Sequence, residues 1–471
     1  MKQLKGVYIN GSFSKPHGTE TADIISPINE EVIAQLTYAD EVDTRLAIAA
    51  ASAASESYGR TTIAERFACF KRIHDEILKR IDDLIEATII EYGAAKDRAK
   101  WSNMIAATTF LNHISILENY QFERKVNEST VIREPIGISA LFTPWNSAAG
   151  SIAVKIAAAL AAGCTVVLKP SEFGPWQAQI IMECIDAAGL PKGVVNMVNG
   201  RGDIISKVIM ESAEVKKISF TGSTVVGKIL GKQAMDTMKR VTLELGGKSA
   251  NIILEDADLN AAIPMAVQAC FMNNGQACIA GSRLFVPENR IDEVKKILLN
   301  TAGQFKVGDP NDEEVKMGPV ASQKQYDRIQ KYIAAGIKDG AQLLYGGLGH
   351  PEGLEKGYYV KPTIFTGATN EMEIAREEIF GPVLSVISYK NENDVVAMAN
   401  DSDYGLMAFV SSTDYERARV VAGQLKAGRV LINTLKHDAF APFGGYKNSG
   451  IGRENGSFGL EEFLETKTLI A

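Results

Sequence analysis

Ile138-Ser139-Ala140-Leu141-Phe142 opens a series of short apolar runs. It is continued by Cys164-Thr165-Val166-Val167-Leu168, Val194-Val195-Asn196-Met197-Val198, Lys217-Ile218-Ser219-Phe220, Val241-Thr242-Leu243-Glu244-Leu245 and Asn251-Ile252-Ile253-Leu254. Between the earlier runs, apolar residues recur at helical spacing near Ile152–Ala161, Trp176–Ala188, Ile204–Met210 and Val225–Met235. Strands that are apolar almost throughout, alternating with helices, predict a parallel sheet covered on both faces and hence an α/β fold.

Residues 255–471 repeat the theme less regularly. Leu259, Ala262, Ile263, Ala266, Val267 and Cys270 form a helical stripe that Asn273-Asn274-Gly275 closes. Strands are expected at Arg283–Val286, Gln342–Tyr345, Val383–Tyr389, Leu406–Ser411 and Arg429–Asn433, with helices at Glu293–Leu299, Tyr326–Ile337 and Tyr415–Leu425. Two α/β lobes therefore meet near Gly246-Gly247, and the cleft beyond the carboxyl ends of their strands is the expected ligand site. Upstream, Leu46, Ala49, Ala50 and Ala53, then Ile73, Ile77, Ile81, Leu84 and Ile85, predict two or more helices before Tyr92.

With 46% hydrophobic and 23% charged residues over 471 positions, the chain lies outside the compositions that stay disordered. Fifty Lys+Arg against 57 Asp+Glu leave a net charge of −7, which argues against nucleic acid or an anionic membrane as partner. Five cysteines with no CxxC exclude a disulfide framework and a zinc ribbon, and point to a reducing, cytoplasmic compartment. Met1–Phe13 lacks the apolar run of a signal peptide. The longest uncharged stretch, Pro135–Val154, is interrupted by Gly137, Pro144 and Gly150, so no membrane span is expected.

Four places carry chemistry. Phe220-Thr221-Gly222-Ser223 ends a strand and opens a helix, where free N–H groups suit a pyrophosphate or serve an ordinary turn. Lys169-Pro170-Ser171-Glu172 follows a strand directly, so a lysine and a carboxylate stand ready for two ribose hydroxyls, or for capping the next helix. Cys278 lies in a glycine loop just past a helix stop and is a candidate nucleophile, whereas Cys69, Cys164, Cys184 and Cys270 fall in helices or a strand as small hydrophobes. None of His17, His74, His113, His350 and His437 sits in a protease-like context beside it. Glu244 places a lone carboxylate in an apolar strand end, which raises its pKa towards general-base range or requires a bond to the Gly246-Gly247 turn.

Seven motifs join these places in one order: Thr143-Pro144-Trp145-Asn146, Lys169-Pro170-Ser171-Glu172, Phe220-Thr221-Gly222-Ser223, Leu243-Glu244-Leu245-Gly246-Gly247-Lys248, Asn274-Gly275-Gln276-Ala277-Cys278, Glu378-Ile379-Phe380-Gly381-Pro382 and Pro442-Phe443-Gly444-Gly445-Tyr446-Lys447-Asn448-Ser449-Gly450. With them the chain closely resembles the NAD(P)-dependent aldehyde dehydrogenase superfamily over essentially its whole length. The resemblance implies a Rossmann-like NAD-binding domain over residues 1–114 and 136–246 and an α/β catalytic domain over 247–445. A small β oligomerisation arm with the C-terminal segment would take 115–135 and 446–471 and make a homodimer or homotetramer. Tyr120–Arg124 and Thr130–Arg133 also alternate as a two-stranded ribbon does, and such a ribbon is not stable alone.

By the same resemblance Cys278 attacks the aldehyde, and Asn146 with the backbone N–H of Cys278 holds the oxyanion of the thiohemiacetal. Hydride then passes to the nicotinamide, and Glu244 activates the water that hydrolyses the thioester. Lys169 and Glu172 would hold the adenine ribose of NAD, with NADP the weaker alternative. Trp145, Ser171, Gly202, Phe220, Thr221, Gly222, Ser223, Val226 and Leu245 would line the cofactor path, and Glu378 and Phe380 its nicotinamide end; no metal is implied.

A CoA-acylating relative shares the cysteine, but Glu244 argues for hydrolysis; a non-catalytic protein that kept the fold would have a damaged site, whereas Cys278, Glu244 and Asn146 are all present. Two features depart from the family or bear on the substrate. Ser147-Ala148 replaces the aromatic-proline pair of many members, which widens the aldehyde tunnel or leaves room for another side chain. Ala277 and Ile279 are small and apolar, which suits an uncharged substrate end near the carbonyl.

Overall fold

A computed structural model describes residues 2–470. The runs from Ile138 to Glu244 supply five strands of one eight-stranded sheet in the order Gly450–Ile451, Arg240–Glu244, Val215–Thr221, Ile138–Phe142, Val166–Lys169, Val195–Met197, Val7–Ile9 and Ser12–Ser14. The five central strands are parallel, and antiparallel strands close both edges. Ile138–Phe142 is buried throughout because helices cover both faces. The strand order reverses between Ile138–Phe142 and Val215–Thr221, so the loops after these two strands open the crevice where such sheets bind ligands.

The second lobe is a seven-stranded sheet in the order Gln342–Tyr345, Thr363–Thr366, Val383–Tyr389, Arg283–Pro287, Ala250–Ile253, Met407–Ser411 and Arg429–Ile432. Only Gln342–Tyr345 runs antiparallel. Thr363–Thr366 carries two threonines and lacks a long apolar run, which is why the sequence pattern passes over it. The chain crosses between the lobes at residues 245–249, next to Gly246-Gly247.

A third sheet pairs Leu464–Leu469 with Ser129–Pro135 and Glu123–Val126. The ribbon begins at Glu123, later than its alternation suggests, because Tyr120 and Phe122 pack edge to face at 4.8 Å against the first lobe. Gly450–Ile451 joins the first lobe's sheet instead of this one, so residues 446–471 are divided between two sheets. Four helices, Glu41–Gly59, Ile63–Lys79, Ile81–Tyr92 and Lys96–Asn119, precede the ribbon. The last is not legible as an apolar stripe, since its buried face is largely small or polar: Ala99, Ser102, Asn103, Ala106 and Thr109.

Candidate active site

The loop at Asn273–Cys278 is held from several sides. After the helix Leu259–Phe271, Asn273 and Asn274 take positive φ values of 55° and 58°, a conformation asparagine tolerates better than most residues. Asn274 donates to the carbonyls of Gly93 and Pro319, both at 2.9 Å, and accepts from the Gly318 amide. Gln276 accepts from the Ala321 amide at 3.0 Å and donates to the Tyr92 hydroxyl, which in turn donates to the Asn273 carbonyl. A Cβ at position 247 would stand 2.2 Å from the Cys278 carbonyl oxygen, so glycine there admits the loop. Side chains locked by such bonds set the nucleophile's position on a rigid base.

Asn146 follows the strand Ile138–Phe142, and its amide donates to the Gln276 carbonyl at 2.8 Å. Asn273 donates to the same carbonyl at 3.1 Å and to the Asn146 carbonyl at 3.0 Å. Asn146 and the Cys278 loop are thus tied directly together. Cys278 is partly exposed, whereas the other four cysteines are buried. Burial and the nearby Glu378 and Glu244 carboxylates push its thiol well above the ordinary range, so attack needs a proton acceptor.

Glu244 ends the strand Arg240–Glu244, and both its carboxylate oxygens lack a hydrogen-bond partner among the described residues. Burial, reinforced by Glu454, raises its pKa well above the carboxylate range, while Lys155 and Arg453 pull the other way. Gly444, at φ 149°, makes room for it: a Cβ there would lie 2.6 Å from Glu244 Oε1. Beneath this site the buried Lys155 ammonium pairs with Glu454 and donates to Ser219 Oγ at 2.8 Å. Lys217, equally buried, pairs with Glu462 at 3.1 Å. Sequence reasoning missed these ion pairs; the available signal was Lys155, the one charge in the helix Ala148–Ala162.

The residues expected to hold the cofactor fall into two groups. Lys169 and Glu172 pair at 2.8 Å beyond the strand Val166–Lys169, and the Gly202 amide donates to Glu172 at 3.0 Å. A Cβ at 202 would stand 3.7 Å from Glu172 and 3.8 Å from Lys169, ordinary contact distances beside this pair. Burial holds the Lys169 ammonium below its usual range, with Glu172 opposing. Ser223 caps the helix Thr224–Met235 by accepting from the Val226 amide, with Gly222 just before it. Val226 lies half exposed on that helix's first turn, and Thr221 is partly exposed at the strand end.

Other predicted contacts are committed elsewhere. The Phe220 ring packs on Phe142 at 6.3 Å and Leu245 lies in the same core, so both side chains serve packing. Ser171 Oγ accepts from the Phe173 amide within its own turn. At the other end of the crevice, Glu378 accepts from the Gly247 amide at 3.0 Å, and its pKa is raised to about 7 by burial. Trp145 meets Phe380 edge to face at 5.3 Å and Tyr92 at 5.9 Å.

A cavity of about 1210 Å³ opens beside the nucleophile loop, lined there by Asn273, Ala277 and Ile279. Ser147 turns away to hydrogen-bond Ser102 at 3.1 Å; Trp101 and Ile105 from the same helix as Ser102 line the cavity. Among the described residues, no group of three or more His, Cys, Asp or Glu side chains is placed to hold a metal ion. No helix among them is long and apolar enough to cross a membrane.

The pattern of the aldehyde dehydrogenase family matches residues 13–469. The chain is 43% identical over 472 residues to 3-succinoylsemialdehyde-pyridine dehydrogenase of a Pseudomonas species, covering 100% of this chain and 99% of that protein. Aldehyde dehydrogenase C of Pseudomonas syringae, solved as a cysteine-to-alanine variant with NAD+ and octanal, superimposes with a TM-score of 0.98 at 43% identity, over 99% of this chain and 96% of that one. The Mycobacterium tuberculosis aldehyde dehydrogenase with NAD+ gives a TM-score of 0.97 at 37% identity, over 100% and 98% of the two chains.

Proposed function

The chain belongs to the aldehyde dehydrogenase family and oxidises an aldehyde with a nicotinamide cofactor, and we propose that Cys278, Asn146 and Glu244 carry the reaction. The reading is supported by the pinned Asn273–Cys278 loop, which is tied to the Asn146 amide and carries a partly exposed thiol whose electrostatic neighbours include Glu244. Cys278 Sγ loses its proton to a base and bonds the aldehyde carbon. The Asn146 amide, which keeps a second N–H beyond its bond to Gln276, and the Cys278 backbone N–H hold the resulting oxyanion. When bound, the nicotinamide supplies the acceptor for the hydride that leaves this carbon, and a thioester remains on Cys278. Glu244 then takes a proton from water, the hydroxide adds to the thioester carbonyl, and the carboxylic acid departs as Cys278 recovers its proton. An aldehyde panel read by NADH absorbance tests the whole reading, and no turnover with any member would overturn it.

The residues present fit NAD. Lys169 and Glu172, beside the Gly202 amide, suit the two hydroxyls of the adenine ribose, and Glu378, Trp145 and Phe380 would meet the nicotinamide end. Gly222, Ser223, Thr221 and Val226, at the start of the helix Thr224–Met235, would line the path between them. A 2′-phosphate would meet the Glu172 carboxylate with like charge, so NAD is preferred to NADP. Glu172→Ser is expected to move the kcat/KM ratio towards NADP by about tenfold, since about 1.4 kcal/mol is one decade. An unchanged ratio would place the choice of cofactor elsewhere.

We further divide the chain into the NAD-binding part, 1–114 with 136–246, the catalytic part, 247–445, and an oligomerisation arm built on Glu123–Val126, Ser129–Pro135 and Leu464–Leu469. The arm has no buried core of its own: Glu123–Val126 is fully exposed and Ser129–Pro135 is half-buried. Sedimentation is expected to show a dimer or tetramer, and a fully active monomer would remove the arm's role. Five unpaired cysteines support a cytoplasmic location.

A further inference from the structure

The cavity beside Cys278 is apolar next to the nucleophile, at Ala277 and Ile279, but cationic further along. Its charged lining comprises Arg98, Lys316, Arg429 and Lys436 against Asp97 and Asp438, an excess of positive charge in a chain whose net charge is −7. Most of these groups are already engaged. Lys316 faces Asp97 at 3.6 Å, and Asp438 accepts from the amides of Phe440 and Ala441 in its own turn. Arg429 donates to the carbonyls of Pro442, Asp438 and Ala441, and so holds that loop.

Arg98 differs. It stands in the first turns of the helix Lys96–Asn119, and its guanidinium lies over the Trp101 ring, 4.3 Å from the centroid. Its Nε donates to Asn273 Oδ1 at 3.2 Å, while its terminal N–H groups have no acceptor and no carboxylate partner among the described residues. Burial pushes its pKa down to about 10, so the charge persists at neutral pH without a counter-ion of the protein's own. A largely buried cation with idle donors is costly unless a ligand completes it. Asn273 also bonds the Gln276 carbonyl, which fixes Arg98 in the same assembly as the nucleophile loop.

We propose that the aldehyde oxidised by this enzyme carries a carboxylate remote from its reacting carbonyl, and that Arg98, stacked on Trp101, binds that carboxylate. The inference rests on the dehydrogenase reading above and adds the substrate class. Ala277 and Ile279 face the uncharged carbons beside the carbonyl, and the planar guanidinium offers two parallel donors to the far end. Arg98 is thus a specificity-determining residue.

The test uses matched aldehydes that differ in the remote carboxylate: 4-oxobutanoate against butanal, and 4-carboxybenzaldehyde against 4-methylbenzaldehyde. Initial rates with NAD+ are measured for the wild type, Arg98→Met and Arg98→Lys. In at least one pair, Arg98→Met should lower the ratio of kcat/KM for the acid over its neutral partner by about ten- to a hundredfold, chiefly through KM. Arg98→Lys, which keeps the charge but not the paired donors, should restore part of that ratio. Because each ratio compares two substrates on one preparation, partial loss of folded protein cancels. Equal losses for both members of both pairs would make Arg98 a support for Asn273 and overturn the proposal. Wild-type turnover of the neutral aldehydes with no ratio change in Arg98→Met would refute the carboxylate site alone. Absence of turnover with every aldehyde would refute the dehydrogenase reading and this inference with it.

Discussion

Cys278→Ala lowers aldehyde-dependent NADH formation by at least about a thousandfold, the scale on which removing a covalent nucleophile acts. NAD+ binding, followed by quenching of tryptophan fluorescence, is retained, because the proposed ribose contacts at Lys169, Glu172 and Gly202 come from other loops. The loop itself should persist in the variant. Its hydrogen bonds run through Asn273, Asn274 and Gln276, and none uses the Cys278 side chain. Cys164→Ala is the control: Cys164 is buried and its thiol donates to the Phe463 carbonyl at 3.3 Å. It should cost on the order of 1 kcal/mol of stability and little activity. Substantial turnover in Cys278→Ala would move the nucleophile elsewhere.

Glu244→Gln is expected to separate the two halves of the reaction. Rapid mixing should still show a burst of about one NADH per active site, after which steady turnover falls by about a hundred- to a thousandfold, the scale of a general base. In the proposed mechanism thioester formation needs Cys278 and Asn146, whereas hydrolysis needs the carboxylate. Loss of the burst as well would assign Glu244 to thiol activation, and an unchanged steady rate would remove it from the mechanism. The wild-type pH profile follows from the same environment. Burial raises the Glu244 pKa, and only the ionised form accepts a proton from water. The hydrolytic rate therefore rises as pH increases through the raised pKa and is lost below it. In Glu244→Gln this limb of the steady-state profile should disappear.

Much of this molecule can be read along the chain. The parallel strands from Ile138 to Glu244 are legible because helices cover both faces, which demands apolar residues at nearly every position. Cys278 is separable from four other cysteines because a helix stop and a glycine precede it. Short strands at or next to the edges are not legible: Val7–Ile9 and Gly450–Ile451 gain their definition only from a sheet that already exists. The helix Lys96–Asn119 escapes notice because alanine, serine, threonine and asparagine fill much of its buried face.

The sequence by itself determined the α/β class and the family, and it singled out Cys278, Asn146 and Glu244 as candidates for the reaction. Strand periodicity is a local property, and catalytic motifs are short, so both survive in one dimension. Tertiary structure alone decided what surrounds those side chains. Lys155 and Glu454 lie 299 residues apart in sequence, yet they form one buried pair beneath Glu244. Arg98 reads as an ordinary surface charge until the fold places it on Trp101, lining the cavity beside the Cys278 loop, with no salt-bridge partner among the described residues. Burial and charge pairing depend on distances across the fold, and those distances arise only when the chain closes around its cores.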